Sequence, residues 1–195
     1  MYKKIFLIAL TLFTGATIFV ACSDTPGRSK GMQPLMDSAA LVARGEYLVT
    51  TTGCDDCHSP KKLGPQGPEI IAELRLSGYQ QNNQLPKVNV AEIQKGFTMF
   101  APDFTATIGV WGASYAGNLT SDATGIGNWT EANFLNAIRH GKLKGLDNGR
   151  DLLPPMPWQV YRNMKDEDLK AIFAYLKTTK PVENIVPAPK PLSSL

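Results

Sequence analysis

Residues 54–58 read Cys54-Asp55-Asp56-Cys57-His58 and hold two of the chain's three cysteines and one of its two histidines. Two thiols three positions apart, with an imidazole directly after them, form the C-x-x-C-H pattern of a c-type haem attachment site. In that chemistry the sulfurs add to porphyrin vinyl groups as thioethers and the imidazole binds the iron from one face. Two other uses of paired cysteines fit less well. A thioredoxin-like redox pair needs a strand before it and a helix after it, with a lowered thiol pKa. Here the residues before Cys54 carry a helical pattern, and Pro60 and Gly64-Pro65 interrupt the stretch after His58. A structural zinc site needs a second ligand pair, and the only other histidine is His140.

At 195 residues, with 43% apolar and 19% charged residues, the chain has room for one globular domain and a targeting segment. Residues 1–21 differ in kind: Lys3 and Lys4 precede an apolar run from Ile5 to Val20, the n-region and h-region of an export signal. The run ends at Phe19-Val20-Ala21-Cys22-Ser23, which resembles the lipobox of bacterial lipoproteins, although Phe19 stands where Leu is usual. Cys22 is therefore the expected lipidation site, and the protein is expected to be exported and lipid-anchored to a bacterial membrane, facing the periplasm. Without residues 1–21 the chain carries 18 basic and 17 acidic residues, so no basic field for nucleic acid remains. Residues 22–37 read as a flexible tether, 38–182 as the folded domain and 183–195 as an extended proline-rich tail.

The domain's pattern is mainly helical. Ser38 suits an N-cap, and Leu41, Gly45 and Leu48 line one face of a helix that delivers the chain to Cys54. A glycine inside a helix costs about 1 kcal/mol relative to alanine, which is offset if a second helix has to approach its backbone. The matching partner is the stripe Leu169, Ile172, Phe173 and Leu176, opened by Asp166, Glu167 and Asp168, where carboxylates suit the helix dipole. Thr130 caps a third helix that ends at Gly141. Residues 59–128 are irregular, with segments 97–100 and 105–111 able to pair as a short hairpin.

A haem bound by one histidine leaves its other axial position to a second side chain, a gas or water, and that choice separates electron transfer from chemistry. Met156 is the best candidate, because the prolines of Leu153-Pro154-Pro155-Met156-Pro157-Trp158 restrict the backbone around its thioether. Met99 and Met164 are rivals for that place, and His140 reads as a surface residue near a helix C-terminus. Trp158 and Tyr161 are expected to wall the pocket.

Arg44-Gly45-Glu46-Tyr47-Leu48 leading into Gly53-Cys54-Asp55-Asp56-Cys57-His58 resembles the opening of class I c-type cytochromes. Asn118-Leu119-Thr120-Ser121-Asp122, Thr124-Gly125-Ile126-Gly127, the Pro-Met-Pro-Trp loop and Tyr175-Leu176 are similar to the cytochrome modules of bacterial membrane dehydrogenases. The likeness covers about residues 40–60 and 115–182. It implies a class I cytochrome c fold, three to five helices around one haem c, here with a long irregular insertion. It implies thioether bonds at Cys54 and Cys57, His58 as proximal and Met156 as distal ligand, and a proline carbonyl, best Pro65 and next Pro60, accepting the His58 N–H. It also implies a carrier of single electrons and not an enzyme by itself, with a dehydrogenase or quinol-oxidising complex as donor and an oxidase or reductase as acceptor. Two alternatives stand beside it: a haem open to gas or peroxide on its distal side, and a fixed electron-transfer subunit of a membrane dehydrogenase.

Overall fold

The computed structural model describes residues 37–195; the expected export signal, Cys22 and the tether up to residue 36 lie outside the described residues. In chain order the elements are α1 (Ser38–Thr51), α2 (Cys54–His58), β1 (Lys61–Gly64), β2 (Gly67–Ile70), α3 (Val90–Gln94), β3 (Met99–Phe100), β4 (Ala106–Gly109), β5 (Gly112–Tyr115), α4 (Glu131–His140), α5 (Trp158–Tyr161) and α6 (Asp166–Leu176). Short 3-10 turns cover Ala72–Leu74, Leu143–Gly145 and Leu192–Ser194. Among the described residues no helix is long and apolar enough to cross a membrane.

Three helices make the frame. α1 is capped by Asp37, one residue before the expected Ser38, because a carboxylate there reaches the Ala39 and Ala40 amides at 2.7 and 3.0 Å. α1 crosses α6 at Gly45, as the glycine predicts: a Cβ on Gly45 would run into the Ala171 carbonyl and stand 2.7 Å from Tyr175 Cβ. Leu48 and Val49 meet Leu169, Ala171, Ile172, Tyr175 and Leu176 in one buried cluster, with an Arg44–Asp168 ion pair of 2.9 Å at its rim. α4 closes the third side. Thr130 and Asn133 cap it reciprocally, Gly141 ends it in the left-handed region at φ 66°, and Phe134 packs on Phe173 with ring centroids 5.4 Å apart.

The middle of the chain holds more strand than one hairpin. β3 and β4 pair antiparallel, Met99 opposite Ile108, as expected, but β5 adds a third strand through the two-residue turn Val110-Trp111. A separate hairpin, β1–β2, turns at Pro65-Gln66; its Lys-Lys-Leu-Gly and Gly-Pro-Glu-Ile strands are short and lack period-two alternation, so the pattern left no strand signal. Ile93, Ile108 and Ala113 form a second small core with Leu192 and Leu195 packed against it. The tail beyond residue 182 is thus docked as well as extended, and Lys190 exchanges backbone hydrogen bonds with Ala113 at 2.8 and 3.1 Å. Replacing Gly45 with alanine should cost about 2 kcal/mol in urea unfolding of the mature protein, since overpacking against backbone outweighs the helix-propensity gain. An unchanged midpoint would mean that α1 and α6 do not cross there.

Candidate functional site

Gly53, left-handed at φ 79°, turns the chain from α1 into α2, the five-residue helix that is the Cys-Asp-Asp-Cys-His stretch itself. Cys54 and Cys57, spaced i and i+3, share one face of that helix; both are free and half-buried. Burial pushes both thiols up from their ordinary range, and for Cys57 the neighbouring Asp56 carboxylate adds to the effect. A dithiol redox pair is tuned the other way, towards the thiolate. Among the described residues no group of three or more His, Cys, Asp or Glu side chains converges as a metal-binding cluster would.

Among the described residues the His58 ring makes one hydrogen bond: Nδ1 lies 2.7 Å from the Gly117 carbonyl oxygen. That oxygen only accepts, so the ring proton sits on Nδ1, and Nε2 keeps its lone pair for a metal. Burial lowers the imidazole pKa, with the Gly117 hydrogen bond opposing it, so the ring is neutral at pH 7. The expected acceptor was the carbonyl of Pro65, with Pro60 behind it. Instead Pro65 is exposed at the tip of the β1–β2 hairpin, and the Pro60 carbonyl accepts from the Ile71 amide at 2.9 Å. Gly117 is brought in by backbone: the Gly78 amide donates to the His58 carbonyl at 2.7 Å and the Tyr79 amide to the Ala116 carbonyl at 3.0 Å. Gly78 has φ 75°, and a Cβ on it would stand 2.6 Å from the Gly117 oxygen, so this approach requires glycine.

Met156 is half-buried and packs against the same apolar cluster as Cys54, together with Trp129, Leu135, Tyr161 and Met164. Its loop is fastened at one end by the Leu152 amide on the Gly141 carbonyl, 2.6 Å, and beyond the other end by the Tyr161 hydroxyl on the Thr52 carbonyl, 2.7 Å. Tyr161 thereby ties this segment to the turn just before Cys54. Trp158, expected with Tyr161 to wall the pocket, lies against Gly141, with the Arg162 guanidinium 5.7 Å from its ring centroid. Met99 is 40% exposed on the edge strand β3, and His140 is exposed at the end of α4.

A family model described as cytochrome c matches residues 42–180. The chain belongs to the cytochrome c family. It is similar to the fructose dehydrogenase cytochrome subunit of Gluconobacter japonicus, 28% identical over 91% of this chain and 29% of that protein. The gluconate 2-dehydrogenase cytochrome c subunit of Pantoea cypripedii is 32% identical over 85% of this chain and 27% of its own length. The alcohol dehydrogenase (quinone) cytochrome c subunit of Gluconacetobacter polyoxogenes is 42% identical over 83% and 27%. The chain thus spans less than a third of the length of these relatives. Membership implies covalently bound haem c. The residues fit that group: two neighbouring protonated thiols, an imidazole with its outer nitrogen already satisfied, and a thioether in the apolar cluster that also takes in Cys54.

Sequence reasoning passed over the residues between the two cysteines of this cytochrome. Asp55 is buried and accepts from Arg75 Nη2 at 2.8 Å, Arg75 Nε at 3.0 Å and Ser59 Oγ at 2.6 Å. Arg75 Nη1 also donates to the Tyr175 hydroxyl at 2.7 Å, so one guanidinium joins α2 to α6. Lys61 closes the other end of α2, its ammonium donating to the Asp55, Asp56 and Ser59 carbonyls at 2.7–3.0 Å. Burial raises the Asp55 pKa, but the hydrogen bonds from Arg75 and Ser59 and the charges of Arg75 and Lys61 outweigh it, and the net shift is downward. A depressed carboxylate pKa contributes stability that is complete above the unfolded-state value and is lost as pH falls through the folded one. Arg75→Met leaves Asp55 buried without its cation and should cost about 2 kcal/mol at pH 7, the guanidinium being partly in water. With burial then unopposed by Arg75, the deficit should shrink as the pH is lowered and Asp55 takes a proton. Urea midpoints at pH 7 and pH 4 would show this; a gap that is equal at both contradicts the ion-pair account.

Proposed function

We propose that this chain is a monohaem c-type cytochrome that carries single electrons between periplasm-facing redox partners. Cys54 and Cys57 hold the haem by thioether bonds, His58 Nε2 is the proximal ligand and Met156 Sδ the distal one. Haem c supplies the one-electron couple when bound. The chain's own residues orient that group and shield it: Gly117 sets the His58 ring, the Tyr161–Thr52 bond closes the Met156 segment on the motif, and the α1–α6 cluster lines the apolar side. The observation that supports this reading best is the His58–Gly117 bond, which presents a neutral imidazole with its free nitrogen available beside two free thiols.

A Met/His pair raises the iron potential, as suits a carrier. Because the similar proteins are cytochrome subunits of dehydrogenases, the proposed donor is a dehydrogenase or quinol-oxidising complex and the acceptor an oxidase or reductase. Lipidation at Cys22 would hold the protein on a bacterial membrane within reach of both.

Produced in a host competent for cytochrome maturation, the protein should keep its colour through denaturation and acid-acetone washing, with one haem per chain by pyridine haemochrome. Colourless washed protein would end the proposal. Met156→Ala should retain the haem, lower the reduction potential and let carbon monoxide bind rapidly to the reduced form. Rapid, stoichiometric binding to the unmodified protein at neutral pH would favour instead a haem open to gas or peroxide. Cys22→Ser should release the protein from the membrane fraction without changing its visible spectrum, and continued retention would contradict the anchor.

A further inference from the structure

Three of the four residues from Pro154 to Pro157 are prolines, which have no backbone N–H, and the Met156 amide donates within the loop, to the Leu153 carbonyl at 3.3 Å. The loop therefore has little means of fastening itself through its own donors. Among the described residues, one hydrogen bond joins the stretch from Leu153 to Pro157 to a distant part of the chain. The Ser114 hydroxyl donates to the Pro154 carbonyl at 2.6 Å.

Ser114 lies buried on β5. Its hydroxyl has one proton to give, and the Pro154 oxygen at 2.6 Å takes it in preference to the Thr107 carbonyl at 3.3 Å. The free lone pair of the same hydroxyl oxygen accepts from Trp111 Nε1 at 3.2 Å. Trp111 is held in turn: its ring lies over Gly109, where a Cβ would stand 2.7 Å from a ring carbon. Trp111, Ser114 and Pro154 thus form a chain in which each bond polarises the next. Three residues beyond Ser114, on the same continuous segment, is the Gly117 carbonyl that holds His58. The Ala116 amide between them is pinned to the Thr105 carbonyl at 2.8 Å, so the segment is stiff.

We propose that Ser114 is a positioning residue for the Met156 side of the site, acting through Pro154 and backed by Trp111. The inference rests on the His58 and Met156 ligation proposed above. Removing the hydroxyl takes from the Pro154 carbonyl its tie to β5, leaves the part-buried Trp111 donor without that partner and frees the loop, so the thioether competes less well for the iron.

The test uses the mature ferric protein, with imidazole as the competing ligand followed by the Soret shift. Ser114→Ala should keep the haem attached, bind imidazole roughly five- to tenfold more tightly, and show a lower reduction potential and a weaker methionine-to-iron charge-transfer absorption. Ser114→Thr, which keeps the hydroxyl, should behave as the unmodified protein. If Ser114→Ala does not accumulate, Trp111→Phe removes only the donor behind the hydroxyl and should shift all three readouts in the same direction by less. Unmodified imidazole affinity and potential in both Ser114→Ala and Trp111→Phe, alongside an opened site in Met156→Ala, overturn the role of Ser114 alone. If Met156→Ala itself matches the unmodified protein, the ligand assignment falls and this inference with it.

Discussion

A carbonyl oxygen can only accept, so the 2.7 Å contact between His58 Nδ1 and Gly117 settles which ring nitrogen carries the proton and which is left for a metal. Placing that carbonyl under the ring demands an unusual course from the backbone around it. Gly78 takes a left-handed conformation to let the Gly117 peptide approach. Leu76, two residues earlier, does the same at φ 63° despite its side chain, a conformation that costs of order 1–3 kcal/mol in a residue other than glycine. Its surroundings hold it there. The Ser59 hydroxyl accepts from the Leu76 amide at 2.8 Å, the Leu119 amide donates to the Leu76 carbonyl at 2.8 Å, and the side chain fills the main core.

The long middle segment is therefore part of the site's support. It leaves the helical core at Ser59, builds β3, β4 and β5, and returns at Gly117 to the residue it left, His58. The tail secures this excursion from outside. Asn184, fully buried, donates to the Ser77 and Tyr79 carbonyls at 2.8 and 3.0 Å and accepts from the Gln81 amide at 2.9 Å. Asn118, next to Gly117, donates to the Val182 carbonyl at 2.8 Å. Residues near 77–81, 113–118 and 182–190 are thus joined by hydrogen bonds, and none of the three segments reaches its conformation through its own periodicity.

That arrangement explains what could be read from the amino-acid order and what could not. Helices α1, α4 and α6 were legible because their signals are local: a 3.6-residue apolar stripe, a capping threonine, an acidic first turn, and a glycine whose helical cost implies a close neighbour. The haem motif was legible because its chemistry needs particular side chains at fixed spacing. The partner of His58 was not, because the group involved is a backbone carbonyl that every residue possesses, and proline is only one way of presenting it. Asp55 was passed over because a carboxylate in a five-residue helix reads as solvated until Arg75, twenty positions on, is seen to neutralise it. Asn184 was lost in a proline-rich tail whose composition suggests a surface path, although a single amide can satisfy several loop peptides at once.

Under the proposed ligation the two axial sides differ in how they are held. The His58 side rests on a set of mutually supporting backbone bonds, Gly78 to His58, Tyr79 to Ala116, Leu119 to Leu76 and Ala116 to Thr105, in addition to the two thioethers. Each such bond contributes about 1 kcal/mol net, and all would have to yield together for the ring to move away. Among the described residues the Met156 side has three separate bonds, one hydroxyl on a proline carbonyl, one tyrosine on a loop carbonyl and the Leu152 amide on the Gly141 carbonyl, which do not brace one another as the His58 set does. Local opening begins at the weakest set of contacts. The thioether side should accordingly yield first to denaturant or to a competing ligand, while the imidazole stays in place, and the behaviour of such a cytochrome away from its resting state is governed by the few bonds around residues 152–161.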